Sequence, residues 1–167
     1  DGTPVTIRLV NESVNISPSM GATPLHRNVW ASGRAEVQVH GEHKGVKLYP
    51  GYVVGCQVDI SGGNATGGAN GAVNASGNGS GGVTSGGNLT LGPGQTSTFW
   101  LLDIEGPDAY GAQGSVPAIK FFGESGSVTW ADSTLGLAGC AGYAQARSFV
   151  AVEVTTQFGR SELRLWG

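Results

Sequence analysis

The sequence predicts an all-β protein: an antiparallel β-sandwich interrupted by one long β-hairpin. Three observations carry that reading. Outside the middle of the chain, apolar and polar residues alternate with a period of two in segment after segment, as half-buried strands require. Nothing along the 167 residues reads as a long amphipathic helix. From Ile60 to Leu102 there is no Asp, Glu, Lys or Arg, yet the strand period persists through that stretch. The sandwich is assigned to residues 1–55 and 94–167, and the hairpin to 56–93, all within one domain.

The elements follow in order. Pro4 to Val10 alternate and read as a strand; residues 11–28, rich in Asn, Ser, Pro and Gly, read as a loop. Arg34 to His40 alternate again, and Gly41 to Gly45 form a turn. Val46 to Tyr49 leads through Pro50–Gly51 into a long strand from Tyr52 to about Ile60. Val54, Cys56, Val58 and Ile60 share one face of that strand, and Gly55, Gln57, Asp59 and Ser61 share the other. Further strands are expected over 96–104, 118–122, 127–131, 147–158 and 160–166.

The charge-free stretch is the distinctive part. Residues 61–88 hold 11 Gly in 28, which a flexible linker could also show. Here, however, Asn64, Thr66, Asn70, Asn74, Asn78, Ser80, Thr84, Asn88 and Thr90 fall on even positions. Ala65, Ala69, Val73, Ala75, Val83, Leu89 and Leu91 fall on odd ones. One face is polar and neutral, and the other is small and apolar. The apolar parity changes at Gly62–Gly63, as a β-bulge would cause. Such a hairpin can stand in a membrane when several copies close into a ring, because closure satisfies every backbone group and removes the edges. Alone, a Gly-rich two-stranded hairpin would lose too much backbone entropy to hold.

Composition excludes several classes. Charged residues are 13% of the chain, about half the usual share of a soluble domain. The net charge of −3 leaves no basic footprint for nucleic acid. No run of 18 apolar residues exists, so no helix spans a bilayer. The chain starts at Asp1 without a signal peptide and reads as a processed, exported product. In an exported chain the pair Cys56 and Cys140 forms one disulfide, contributing about 4 kcal/mol in the chain-entropy picture. Two buried free thiols are the alternative.

No catalytic set assembles, and the chain does not read as an enzyme. Glu36, Asp103, Glu105, Asp108, Asp132 and Glu153 are scattered, and no nucleophile or phosphate-loop motif occurs. His40, Glu42 and His43 could hold a metal on a turn, but a solvated turn is the better reading, so neither metal nor cofactor is expected. Six Asn-x-Ser/Thr sequons, at Asn11, Asn15, Asn64, Asn74, Asn78 and Asn88, follow from composition. Trp30, Trp100, Trp130 and Trp166 read as core or interface. Asp59 is the last charge before the neutral tract and shares a face with Gln57 and Ser61.

One run of residues resembles a known family. Leu25-His-Arg-Asn-Val-Trp-Ala-Ser-Gly-Arg34-Ala is similar to the Leu-x-Arg-x-x-aromatic-x-Ser-Gly-Arg-Ala motif of the MspA family of mycobacterial outer-membrane porins. Gly51-Tyr-x-x-Gly55 resembles that family's entry into its stem, and Pro93-Gly94 its return to the rim. Arg147-Ser-Phe-Val-Ala-x-Val and the final Leu-Arg-Leu-Trp-Gly fit its last strands more loosely.

The resemblance implies a goblet-shaped homo-octamer in the lipid of the outer, mycolate-containing membrane. It implies export by a cleaved signal peptide and eight hairpins closing a 16-stranded transmembrane barrel. The function implied is passive diffusion of small hydrophilic solutes and ions. Gln57, Asp59, Ser61, Asn64, Thr66, Asn70, Asn74, Asn78, Ser80, Thr84, Asn88 and Thr90 would line the pore. Asn74, Ser76 and Asn78 would make the constriction.

Two departures from the family pattern stand out. Val73 to Ser80 carry no charge where the best-known members place an acidic ring, which points to a weakly selective constriction. The stem is shorter, with Ala, Gly and Val on its apolar face and no aromatic girdle. An arm of about 17 residues at roughly 3.3 Å each, tilted by about 40°, still rises roughly 40 Å. That exceeds an apolar band of about 25 Å. The competing reading is a soluble or surface-attached β-sandwich module with a Gly-rich loop.

Overall fold

Two sheets pack face to face around one apolar core in the computed structural model, which describes residues 2–18, 26–57, 88–90, 96–107, 113–140 and 142–167. In chain order the strands are β1 (Val5–Pro18), β2 (Arg27–Val39), β3 (Gly45–Cys56), β4 (Asn88–Thr90), β5 (Thr96–Trp100) and β6 (Ile104–Pro107). They continue with β7 (Gln113–Val116), β8 (Ile119–Phe121), β9 (Ser125–Ala138), β10 (Ala144–Thr155) and β11 (Arg160–Trp166). The first sheet runs β1-β2-β9-β4, and the second runs β11-β10-β3-β5 with β8 also on β3. A separate ribbon pairs β6 with β7. The described residues contain no helix; all pairings are antiparallel except that of β4 with β9.

The core is made by alternation. On β2, Ala31, Ala35, Val37 and Val39 point inward; on β3, Val46, Leu48, Tyr52, Val54 and Cys56 do. Val150, Val152 and Val154 of β10 meet them. β-branched side chains dominate because they suit a pleated, half-buried surface. The expected face of β3 is seen for Val54 and Cys56 against Gly55 and Gln57; Val58 to Ser61 lie outside the described residues.

Where the boundaries differ from the sequence reading, the cause is local. The expected loop over 11–28 is strand at both ends: β1 runs on to Pro18 and β2 begins at Arg27. A bulge hides this, since the β1–β2 register shifts between Val10 and Ser13. The apolar positions move from Val5, Ile7 and Leu9, packed on the core, to Val14 and Ile16, opposite Ala31 and Val29 but themselves exposed, which breaks the period. β9 is longer than 127–131 for the same reason: its register with β2 shifts between Ala31 and Gly33. Its buried positions pass from Val128 and Trp130 to Leu135 and Leu137. β5 stops at Trp100, where the chain bends and the Leu101 N–H donates to the Pro50 carbonyl at 3.1 Å. β10 ends at Thr155, ahead of a turn closed by the Thr156 N–H on the Gly159 carbonyl at 2.8 Å.

The two bulges sit level with each other, on either side of Ser32–Gly33. Each contains a non-glycine residue in the left-handed region, Asn11 at φ 55° and Asp132 at φ 50°. Asn and Asp tolerate that region better than other side chains. Ser32 fastens one of them: its hydroxyl accepts the Asp132 N–H at 2.9 Å. Beside it, Gly33 makes room for an indole, because a Cβ there would lie 2.7 Å from Cζ2 of Trp130. The Ser-Gly of the family-like motif thus bends the sheet and seats its largest core side chain.

Candidate functional site

The site of interest is the end of the sandwich from which the charge-free segment departs. Cys56 closes β3 in the second sheet, and Cys140 follows β9 in the first. They form a disulfide with Cα atoms 5.8 Å apart, as the cysteine pair in the sequence led us to expect. Both are buried, at 4% and 1% exposure. One residue on, the Gln57 N–H donates to the Tyr143 carbonyl at 2.9 Å. The departing backbone is therefore held covalently to one sheet edge and by a hydrogen bond to the loop before β10.

β4 reaches the same corner from the other side. Asn88, Leu89 and Thr90 run parallel to Gly136, Leu137 and Ala138 of β9, two residues before Cys140. β3 belongs to the second sheet and β4 to the first, and the disulfide lies at the seam between them. Of the residues assigned to the pore, Gln57 is exposed at this root, and Asn88 and Thr90 fall in β4. Asp59, Ser61, Asn64, Thr66, Asn70, Asn74, Ser76, Asn78, Ser80 and Thr84 lie outside the described residues.

Two clusters flank the root. On the outer face of the second sheet, Trp166, Phe149, Gly51 and Trp100 stand in one cross-strand row. Phe149 lies over Gly51, where a Cβ would come within 2.8 Å of both its Cζ and the Phe99 carbonyl oxygen. That close approach brings its ring 5.2 Å from Trp100 and 5.5 Å from Trp166. Arg147 and Arg164 stack on Trp166 at 5.3 and 5.7 Å. Trp130 is in the core, as the sequence led us to expect, while Trp100 is half-buried and Trp166 exposed on this row.

The second cluster is inside. Tyr52 and Trp130 are buried, and neither the Tyr52 hydroxyl nor the Trp130 indole N–H meets a partner at hydrogen-bond geometry. Burial holds the Tyr52 phenol above its ordinary pKa, and the Glu12 carboxylate adds to this; the nearby indole opposes it.

The turn that could have held a metal is organised otherwise. His43 uses Nδ1 on the Gly41 carbonyl at 3.0 Å and Nε2 on the Gly123 carbonyl at 3.1 Å. Among the described residues no three His, Cys, Asp or Glu side chains are grouped for a metal ion. No helix among them is long and apolar enough to cross a membrane, which says nothing of strands.

Sequence reasoning missed the Ser32–Asp132 fastening and the contact of Tyr143 with Gln57. The first had a visible signal: apolar residues of β9 change from even to odd positions at Asp132. The second had none, because a backbone carbonyl is the acceptor. No curated protein matches the chain. A protein-family model does, over residues 1–167, the whole of it; the family is described as MspA.

Proposed function

The chain belongs to the MspA family, and on that premise we propose that it is a passive, water-filled porin of an outer membrane. Residues 1–55 and 94–167 form the rim, and residues 56–93 form the stem. Eight copies close their stems into a 16-stranded barrel through mycolate-containing lipid, after export by a cleaved signal peptide. Small hydrophilic solutes diffuse through. Gln57, Asp59, Ser61, Asn64, Thr66, Asn70, Asn74, Asn78, Ser80, Thr84, Asn88 and Thr90 face the water. Asn74, Ser76 and Asn78 form a neutral, weakly selective constriction.

The single observation that carries this reading is the whole-chain family match. The alternation within the charge-free segment supports it, since strands that alternate polar-in and apolar-out are what a barrel wall needs. No cofactor or metal enters the scheme. Passive diffusion through a water-filled pore needs only a wall that is wet on one side.

The test is single-channel conductance of the detergent-purified protein in a planar bilayer under a salt gradient. Discrete, stable steps with a reversal potential near zero are the expected result. A strongly cation-selective reversal potential would remove the neutral constriction but keep the channel. Silence at high protein concentration would leave a soluble sandwich module, and deletion of 62–88 would then change nothing measurable.

A further inference from the structure

The two ends of the sandwich differ sharply in charge. At the stem end lie residues 14–18, 26–31, 53–57, 96–98, 133–140 and 142–147. Among the described residues there, Arg27 and Arg147, the latter opposite Val53, are the charged side chains at neutral pH, and the sequence has none over 19–25. The opposite end is crowded with charge: Glu42, Lys44, Lys47, Lys120, Glu124 and Arg160 are all found there. An end so poor in charge, with no carboxylate among its described residues, has no obvious use in water, where charges are readily displayed.

The stem end also exposes large apolar groups. Tyr143 is 84% exposed and Ile16 63%. The Tyr143 carbonyl accepts from the N–H of Gln57, the first residue beyond β3, so Tyr143 stands at the root of the neutral segment. A tyrosine with an apolar ring and a polar hydroxyl suits the boundary between headgroups and acyl chains. The stem itself has no aromatic to mark that boundary.

We infer that this end of the rim is a lipid-facing collar. Tyr143 and Ile16 rest at the headgroup level of the membrane, and the charge-rich end faces water at the channel mouth. The inference rests on the channel reading and names the partner of its rim. Aromatic exposure alone is not the argument: Phe158 is 80% exposed at the other end, near Arg160, and is assigned to water.

A dansyl amino acid placed by amber suppression at 143, and separately at 158, reads the collar in the assembled protein in liposomes. The expected result is loss of emission at 143 to shallow doxyl lipids rather than to aqueous iodide, with the reverse order at 158. Iodide quenching at 143 equal to that at 158 overturns the collar. Protection from both quenchers also overturns it, because the ring is then packed against a neighbouring copy. Conductance of the same liposomes scores the channel separately. Conducting liposomes with an iodide-quenched 143 sink the collar alone, whereas liposomes that never conduct remove its premise and sink both.

Discussion

The two sheets solve the same packing problem in different ways. The second sheet is regular: β3 and β10 pair from Gly45–Thr155 to Cys56–Ala144 without a shift. The first is broken at one level, where β1 and β9 each bulge against β2. The regular sheet is held by register, so each inward side chain is fixed by counting from any other. The bulged sheet is held at particular residues, Asn11, Asp132 and Ser32, and curves there around Trp130. The regular sheet is the one the chain leaves, past Cys56, for the charge-free segment; the bent one curves around Trp130.

Covalent union of the two sheets gives the largest expected effect. Cys56→Ala or Cys140→Ala should cost about 2–5 kcal/mol in thermal unfolding, and the double variant no more than either single one. Additive losses would mean that the cysteines act separately, and the seam would not join the sheets.

Next comes a direct contest between two crowded glycines. Gly51→Ala should cost about 1–3 kcal/mol, and more than Gly33→Ala. The new methyl at 51 meets the Phe99 carbonyl oxygen as well as a ring, whereas at 33 it meets only the Trp130 indole. Equal losses in denaturant unfolding would show that the bulged sheet is as unyielding as the regular one.

The bulge itself can then be probed. Asp132→Val should cost about 1–2 kcal/mol, the penalty for a branched side chain in the left-handed region. Asp132→Gly should be close to neutral, because glycine accepts that backbone freely. Ser32→Ala should remove about 0.5–1 kcal/mol with the bond to the Asp132 N–H. If Val and Gly behave alike at 132, conformation is not what fastens the first sheet.

The smallest effect is alkaline. The Tyr52 phenol is held above its ordinary value, chiefly by burial. The folded chain then keeps a proton that the unfolded chain loses, so its contribution is whole below pH about 10 and falls as pH rises beyond. Tyr52→Phe should flatten that decline. An unchanged alkaline limb in a pH series of melting curves would place its origin elsewhere.

The sequence showed the regular sheet plainly. Alternation from Val46 to Cys56 and from Arg147 onward names the inner face without help. The bulged sheet was less legible because one extra residue reverses parity, so Val14 and Ile16 looked like loop. The same reversal was visible around Asp132, and a parity change without glycine is what a bulge looks like when Asp or Asn supplies it. At the candidate site, the cysteine pair was readable from number and spacing. The parallel seat of β4 on β9 was not, since three residues carry too little pattern to choose a partner strand.

The disulfide has a topological meaning as well. Cys56 and Cys140 enclose the whole of 57–139 in a covalent loop 84 residues in span. A protease that nicks the Gly-rich segment inside that loop therefore cannot separate the two pieces. The cut protein should migrate as one molecule without reductant and as two fragments with it. The sandwich would survive the wound as a two-chain protein, its halves sewn together by the one bond that spans the cut.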